Sequence, residues 1–201
     1  MNTDINISDA AARAFQIEGQ CLLEAFGHID GAEFQKAVYA LAAAPRIAAS
    51  GCGHTGIACR HFAHLMCCIE RPARFISPAE AVHGGTGFMQ KGDVMLLASR
   101  GGKTGELLPI MDICKAKGAT IIAVTENAES PLAAGSDILL KMFVTRETDR
   151  YNCQGTTSNA VLNAIFDALQ AALIEATGYR LDSFALIHPG GAVGDRLNRR
   201  T

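Results

Sequence analysis

The chain has 201 residues, a formal net charge of -2 and an isoelectric point near 6.3, so it is long enough for one domain with a sizeable core and offers no global attraction to nucleic acid or an anionic membrane. Seven cysteines (Cys21, Cys52, Cys59, Cys67, Cys68, Cys114 and Cys153) lie mostly in apolar segments without a C-x-x-C pair, which speaks against a zinc knuckle or a disulfide framework and for reduced core residues. The amino terminus has no basic leader region and no apolar run approaches the roughly 20 residues of a membrane span, so a cytosolic protein with no membrane and no nucleic-acid partner is expected.

Ser8 is expected to cap a first helix with apolar residues Ile7, Ala10, Ala11, Ala14, Ile17, Cys21 and Ala25 on one stripe, closed by Gly27. A second helix runs from Gly31 to Ala44 and stops at Pro45, and Arg46 to Ser50 reads as a short strand leading into G-C-G-H-T-G. A helix over 55–69 follows, then a strand from Arg74 to Ser77 and a loop carrying Ser77, Pro78, Glu80 and His83 before G-G-T-G. Val94 to Ala98 is a continuous apolar strand that ends in S-R-G-G-K-T-G-E, after which Leu107, Leu108, Ile110, Met111 and Cys114 recur at helical spacing up to Gly118. Thr120 to Thr125 is a strand of apolar and β-branched residues, Glu126 to Pro131 a turn, and Asp137 to Val144 a fifth strand. Residues 145–155 are polar and irregular, and Thr156 or Thr157 caps a long helix to about Ala176 whose polar residues Asn159, Asn163, Asp167 and Gln170 occupy one narrow face. Five strands alternating with helices predict an α/β fold, a doubly wound three-layer domain with a parallel sheet. One domain is expected over 1–201, with N-terminal helices to residue 44 and the sheet core and C-terminal helices over 45–201.

In such a domain the loops at Gly51, Ser77, Ser99 and Thr125 open at the carboxyl edge of the sheet. The loop from Ser99 to Thr104 combines hydroxyls, glycines and Lys103 ahead of a helix, whose first N–H groups and dipole favour an anion. It reads as a phosphate cradle of Ser99, Thr104, the amides of Gly101 and Gly102, and Lys103, with Ser50 alongside. Its spacing matches neither Walker A nor G-x-G-x-x-G, so neither a nucleotide triphosphate nor a dinucleotide is indicated. His54 stands in the other glycine-bearing loop, with Gly51, Gly53 and Thr55. His83, Glu106, Glu147 and His188 are further polar candidates, and two carboxylates with several histidines are what proton transfer along a sugar needs. Structural roles are also open to four of them: a helix-dipole partner for Glu106, a solvated ion pair beside Arg146 for Glu147, a local hydrogen-bonding residue for His83 and a solvated turn ring for His54. His61 and His64, at i, i+3 without a third ligand, are a weak metal pair and read as surface or core histidines, so no metal is expected.

With these residues in view, S-G-C-G-H-T-G, S-P-A-E-A-V-H-G-G, S-R-G-G-K-T-G-E-L, T-T-S and F-A-L-I-H-P-G-G-A-V-G-D-R-L resemble the SIS (sugar isomerase) domain, and within it the arabinose 5-phosphate isomerases. The resemblance spans about 46–200. It implies a flavodoxin-like five-stranded parallel sheet and aldose–ketose isomerisation of a sugar phosphate without an organic cofactor. The phosphate would be held by Ser/Thr hydroxyls and amides, with Thr156 and Thr157 adding contacts. The family's glutamates fall on Glu106 and Glu147 and its histidine on His188. The chain departs from the family at His54, where a lysine is usual, and at Gly101, where a second serine is usual; histidine is a shorter donor than lysine and not a fixed cation. The paired CBS modules of many relatives are expected to be absent. On this reading Glu147 moves the proton between C1 and C2, His188 assists ring opening or the oxygen protons, and Glu106 orients hydroxyls. His188 is expected to reach the site of a neighbouring subunit in a homodimer or homotetramer. The alternative is a catalytically silent sugar-phosphate-binding regulator.

Overall fold

The computed structural model describes residues 6–198. Helix α1, Ile7–Ala25, starts one cap earlier than expected: the Asn6 side chain accepts from the Asp9 N–H at 3.1 Å, and Ser8 lies inside the first turn. A 3-10 turn at Phe26–His28 leads to α2, Gly31–Ala43, capped by Asp30, which accepts from the N–H groups of Ala32 and Glu33. Then follow β1 (Ile47–Ser50), α3 (Gly53–Cys67), β2 (Ala73–Phe75), the single turn α4 (Pro78–Ala81), a 3-10 turn at Gly85–Phe88, and β3 (Val94–Ala98). The second half comprises α5 (Leu108–Ala116), β4 (Thr120–Thr125), α6 (Pro131–Gly135), β5 (Ile138–Lys141), α7 (Thr157–Thr177), α8 (Leu181–Ile187) and α9 (Gly191–Asn198).

The sheet is parallel with the order β2-β1-β3-β4-β5, the flavodoxin-like arrangement expected from the sequence. Alternation along the strands sends side chains to two separate cores. Ile47, Ala49, Val94, Leu96, Ala98, Ile122 and Val124 face α1, α2, α3 and α7, while Ala48, Met95, Leu97, Ile121 and Ala123 face α5 and α6. Strand β5 is shorter than expected because its partner β4 ends at Thr125: Met142 N–H still donates to the Thr125 carbonyl, but Met142 and Val144 are buried without a strand to pair with. Because β1 continues into α3 on one face and β3 into α5 on the other, the sheet reverses its winding between β1 and β3, and a crevice opens at their carboxyl ends.

Helix α7 is long and apolar enough to span a membrane by length and composition alone, with a mean hydropathy of 1.3, contrary to the expectation from the sequence. Here it is the central helix of one layer. It packs against α1, α2 and α3 and buries Val161, Leu162, Ile165, Phe166, Leu169 and Leu173. Its narrow polar face turns partly toward α3: Gln170 Nε2 donates to the Leu65 carbonyl at 2.9 Å, and Asn163 Oδ1 lies 3.0 Å from His61 Nδ1. Beyond the left-handed Gly178, α8 and α9 pack on each other. Helix α8 ends at Ile187, and α9 begins anew at Gly191 after the Pro189-Gly190 break.

Candidate functional site

The loop after β3 is pinned in place. Arg100 O accepts from Thr125 Oγ1 and from the Glu126 N–H, both at 2.9 Å, and Gly102 O accepts from the Leu132 N–H. Gly102 has φ +64, and a Cβ there would stand 2.0 Å from Ser130 Oγ, so only glycine fits this turn. Ser99 Oγ lies 2.8 Å from Thr104 Oγ1. The Gly102 amide, expected to face a phosphate, is instead turned inward onto Ser99 O and Oγ. Among the described residues, the N–H groups of Gly101, Lys103, Thr104, Gly105 and Glu106 have no protein acceptor, so the outer part of the loop remains a set of unpaired donors. Helix α5 starts only at Leu108, which places Glu106 in the turn ahead of the helix and not within its first turn.

Two cavities open on either side of the first turn of α3. The larger, about 610 Å³, is walled by Gly51, Cys52, Gly53, Gly56, Ile57 and Arg60, by Phe75 and the Ser77–His83 segment, and by Glu106 and Pro109. Arg60 lies over the Phe75 ring at 4.3 Å. The smaller, about 250 Å³, lies between the amino-terminal turns of α3 and α7 and is lined by His54, Thr55, Arg100, Met142, Glu147, Cys153, Gly155, Ser158, Asn159 and Leu162. Its wall is rich in hydrogen-bonding groups, and two helix dipoles point at it. The Asn159 Oδ1 atom is buried without a partner, an acceptor waiting for a donor.

Glu147 is the centre of the smaller cavity. It is 1% exposed. Oε1 accepts from Arg100 Nη1 at 2.5 Å; Oε2 accepts from Thr156 N–H at 2.9 Å, Thr156 Oγ1 at 3.1 Å and Ser158 N–H at 3.1 Å. The carboxylate therefore caps the amino terminus of α7. Burial alone would raise its pKa, but hydrogen bonds from Ser158, the Arg100 charge and the Thr156 hydroxyl outweigh it and hold the group below the ordinary value of 4.5. The alternative role, a solvated ion pair with Arg146, does not form through the carboxylate; Arg146 Nε donates to the Glu147 carbonyl.

The remaining expected site residues divide. His54 and Thr55 line the smaller cavity with Glu147, and His83, Gly51 and Gly53 line the larger with Glu106, so the two glutamates do not share one pocket. Ser50 is fully buried and its hydroxyl donates to the Ile76 carbonyl at 2.7 Å, which removes it from the cradle. Thr156 is engaged by Glu147 and Thr148, and Thr157 is fully buried; both shape the helix start and neither lines either of these two cavities. His61 pairs with Asn163, and His64 Nε2 lies 3.6 Å from Cys68 Sγ. His188 is remote from the others. Its ring leans on Phe184 at 5.0 Å, and Phe184 with Leu181 closes a cavity against Cys68, Ile69 and Tyr179 at the carboxyl end of α3. The 21 residues of α7 span about 30 Å, so His188 lies at the opposite pole of its own chain from the cradle. Its Nδ1 is buried without a partner among the described residues.

Sequence reasoning missed Arg100, Arg60, Ser158 and Asn159. An arginine inside S-R-G-G-K-T was the readable signal, since a turn alone does not call for one; its partner 47 positions away was not readable.

The chain matches the SIS domain family over residues 40–173. It is 35% identical over 198 residues to the arabinose 5-phosphate isomerase KdsD of Pseudomonas aeruginosa, covering 98% of this chain and 60% of that protein. It is 38% identical over 151 residues to KpsF of Escherichia coli, an arabinose 5-phosphate isomerase, covering 75% and 48%. The chain thus spans about half to three-fifths of the length of these relatives. Among solved structures, an Escherichia coli CFT073 protein in complex with arabinose 5-phosphate superposes with a TM-score of 0.85 at 28% identity, covering 92% of this chain and all of that one. A Listeria monocytogenes protein named provisionally as a sugar-phosphate isomerase gives 0.89 at 38%, covering 92% and 97%.

Proposed function

The chain belongs to the SIS domain family, and from that premise we propose that it is a sugar-phosphate isomerase interconverting an aldopentose 5-phosphate, such as arabinose 5-phosphate, with ribulose 5-phosphate. The observation that carries this is the small cavity lined by His54, Thr55, Ser158 and Asn159, where a buried Glu147 stands beside Arg100, the residue that precedes the unpaired amides of the β3 loop. The phosphate is taken by those amides with Thr104 and Ser99, and the open-chain sugar lies along His54, Ser158 and Asn159. Glu147 accepts the C2 proton; the C–H electron pair forms C1=C2 and the former carbonyl oxygen becomes an enediol oxygen. Return of the proton to C1 and loss of the O2 proton give the ketose, with no net oxidation. Because its pKa is held low, Glu147 is available as an acceptor across the neutral range, and its fixed position compensates for weak basicity. Glu106 and His83, which face the other cavity, are left out of this step.

His188 enters the scheme from a second copy of the chain, since its own chain holds it at the far pole. Exposed Ile7, Phe15, Leu23 and Phe26 on and just after α1 give such an assembly an apolar surface. Two measurements test the proposal. Purified protein is incubated with a panel of pentose and hexose phosphates while aldose-to-ketose conversion and solvent deuterium uptake are followed; no turnover with tight binding of one member would leave the silent-binder reading. That second reading is favoured by His54, which faces the cavity where the family places a lysine. Mixing inactive Glu147→Gln and His188→Ala proteins under subunit exchange should restore part of the activity, and a persistent zero despite exchange would place His188 outside the reaction.

A further inference from the structure

Arg100 sits in the middle of the phosphate-binding loop, yet its side chain is aimed away from the loop and into the smaller cavity. Its backbone cannot drift, because its carbonyl is held by two donors from the end of β4. The guanidinium is held as firmly: Nε donates to Glu126 Oε2 at 2.8 Å and Nη1 to Glu147 Oε1 at 2.5 Å. A guanidinium has five N–H donors. Two are committed to these carboxylates, and among the described residues the other three have no protein acceptor. The side chain is 38% exposed beside a carboxylate that is 1% exposed, so the guanidinium is the open member of a pair whose other member is buried.

We infer that Arg100 is a catalytic residue that uses its free N–H donors to bind the oxygen on which negative charge develops as the enediol forms. The inference rests on the isomerase reading above and adds a residue to it. When Glu147 removes the C2 proton, the electron pair moves into C1=C2 and the carbonyl π pair moves onto O1. A donor fixed next to the base, in a cavity of about 250 Å³, is where such charge is stabilised. Glu126 and Glu147 keep the guanidinium rigid before substrate arrives, so no reorganisation is needed during the step. Two carboxylates on one guanidinium also explain why a loop built to hold a phosphate contains a cation that does not face it.

The test compares wild type with Arg100→Ala and Arg100→Lys. The lysine variant guards against misfolding, because it keeps a charge beside the buried carboxylate while a single ammonium cannot serve Glu126, Glu147 and the substrate together. Both variants should lose about 100-fold in kcat with KM within about threefold of wild type, the pattern of a donor used only in the transition state. Binding supplies a second readout. Wild type should bind 4-phosphoerythronohydroxamate, a mimic of the enediolate, on the order of 100-fold more tightly than arabinitol 5-phosphate, which lacks the carbonyl, and both variants should lose that preference while keeping the affinity for the alditol. A lysine variant with near-normal kcat, an intact preference for the hydroxamate, or a KM that rises in step with any loss of kcat overturns the role of Arg100 alone. Wild type that turns over no sugar phosphate and shows no preference for the hydroxamate overturns the isomerase reading, and this inference with it.

Discussion

Gly102→Ala tests whether the shape of the β3 loop is imposed by one close contact. The new Cβ would stand 2.0 Å from Ser130 Oγ, 2.4 Å from Ser130 Cβ and 2.9 Å from Thr125 Oγ1, at a residue with φ +64. Left-handed backbone costs an alanine about 1–2 kcal/mol, partly offset by the roughly 0.4–1 kcal/mol that alanine gains through a less disordered unfolded chain. Displacing Ser130, whose hydroxyl accepts from the Ala133 N–H at 3.2 Å and caps α6, adds about 1 kcal/mol, and overpacking adds about 1–3 kcal/mol. The net loss is about 2–5 kcal/mol, which for a chain of this size lowers Tm by roughly 5–20 °C. Thermal unfolding followed by far-UV circular dichroism measures it. Ser130→Gly alone should cost only a few tenths of a kcal/mol, since glycine is tolerated at caps, and the double variant should recover about 1–3 kcal/mol of the loss. Strict additivity of the two changes, or a Tm shift of Gly102→Ala below about 2 °C, would refute the account of this loop.

Thr104→Ala should raise KM severalfold with kcat nearly unchanged, because a phosphate contact is made equally in ground and transition states; initial rates over a range of substrate concentrations decide it. Glu147 has a folded pKa below its unfolded one, so the unfolded chain binds more protons in that window. Its stabilisation is complete above the ordinary glutamate range and is lost as pH falls through the lowered folded value. Urea midpoints between pH 7 and 3 should therefore fall less steeply in Glu147→Gln than in wild type. Burial pushes the Cys114 thiol up to about 11 and raises that of Cys59 as well, whereas Cys67 and Cys153 are exposed. A thiol reagent at pH 8 should label Cys67 and Cys153 quickly and leave Cys59 and Cys114 unlabelled until the protein is denatured; early labelling of Cys114 would contradict its burial.

Strands β3 and β4 were legible to the residue, because each is an apolar run bounded by a change of polarity and each is buried on both faces. Less was visible where a short element has no hydrophobic period of its own. Helices α4 and α6 both open on Ser-Pro, with proline in the first turn and, in α6, a capping serine hydroxyl, a start signal that was read as loop. The site was legible as an edge and a set of loops. It was not legible as two cavities, since the first turn of α3 that separates Glu147 from Glu106 is a matter of packing. The assignment of Ser50 to the cradle failed for a related reason: strand periodicity identifies a strand's last residue but not that its hydroxyl turns onto the neighbouring β2 connection, where Ile76 accepts it.

Two early helices pack on one far later in the sequence: α1 and α2 both rest on α7, and the thiol of Cys21 reaches the carbonyl of Phe143. During synthesis, therefore, α2 leaves the ribosome 114 residues before α7 begins, a delay of roughly 10 s at ordinary elongation rates. Through that interval Cys21, Ala25, Ala37, Val38 and Leu41, all buried in the finished protein, lack the helix that covers them. The outer layer over one face of the sheet is thus sealed by a segment translated well after the helices it covers, and nascent chains stalled in the polar stretch over 145–155 would present an open apolar face to chaperones and to one another.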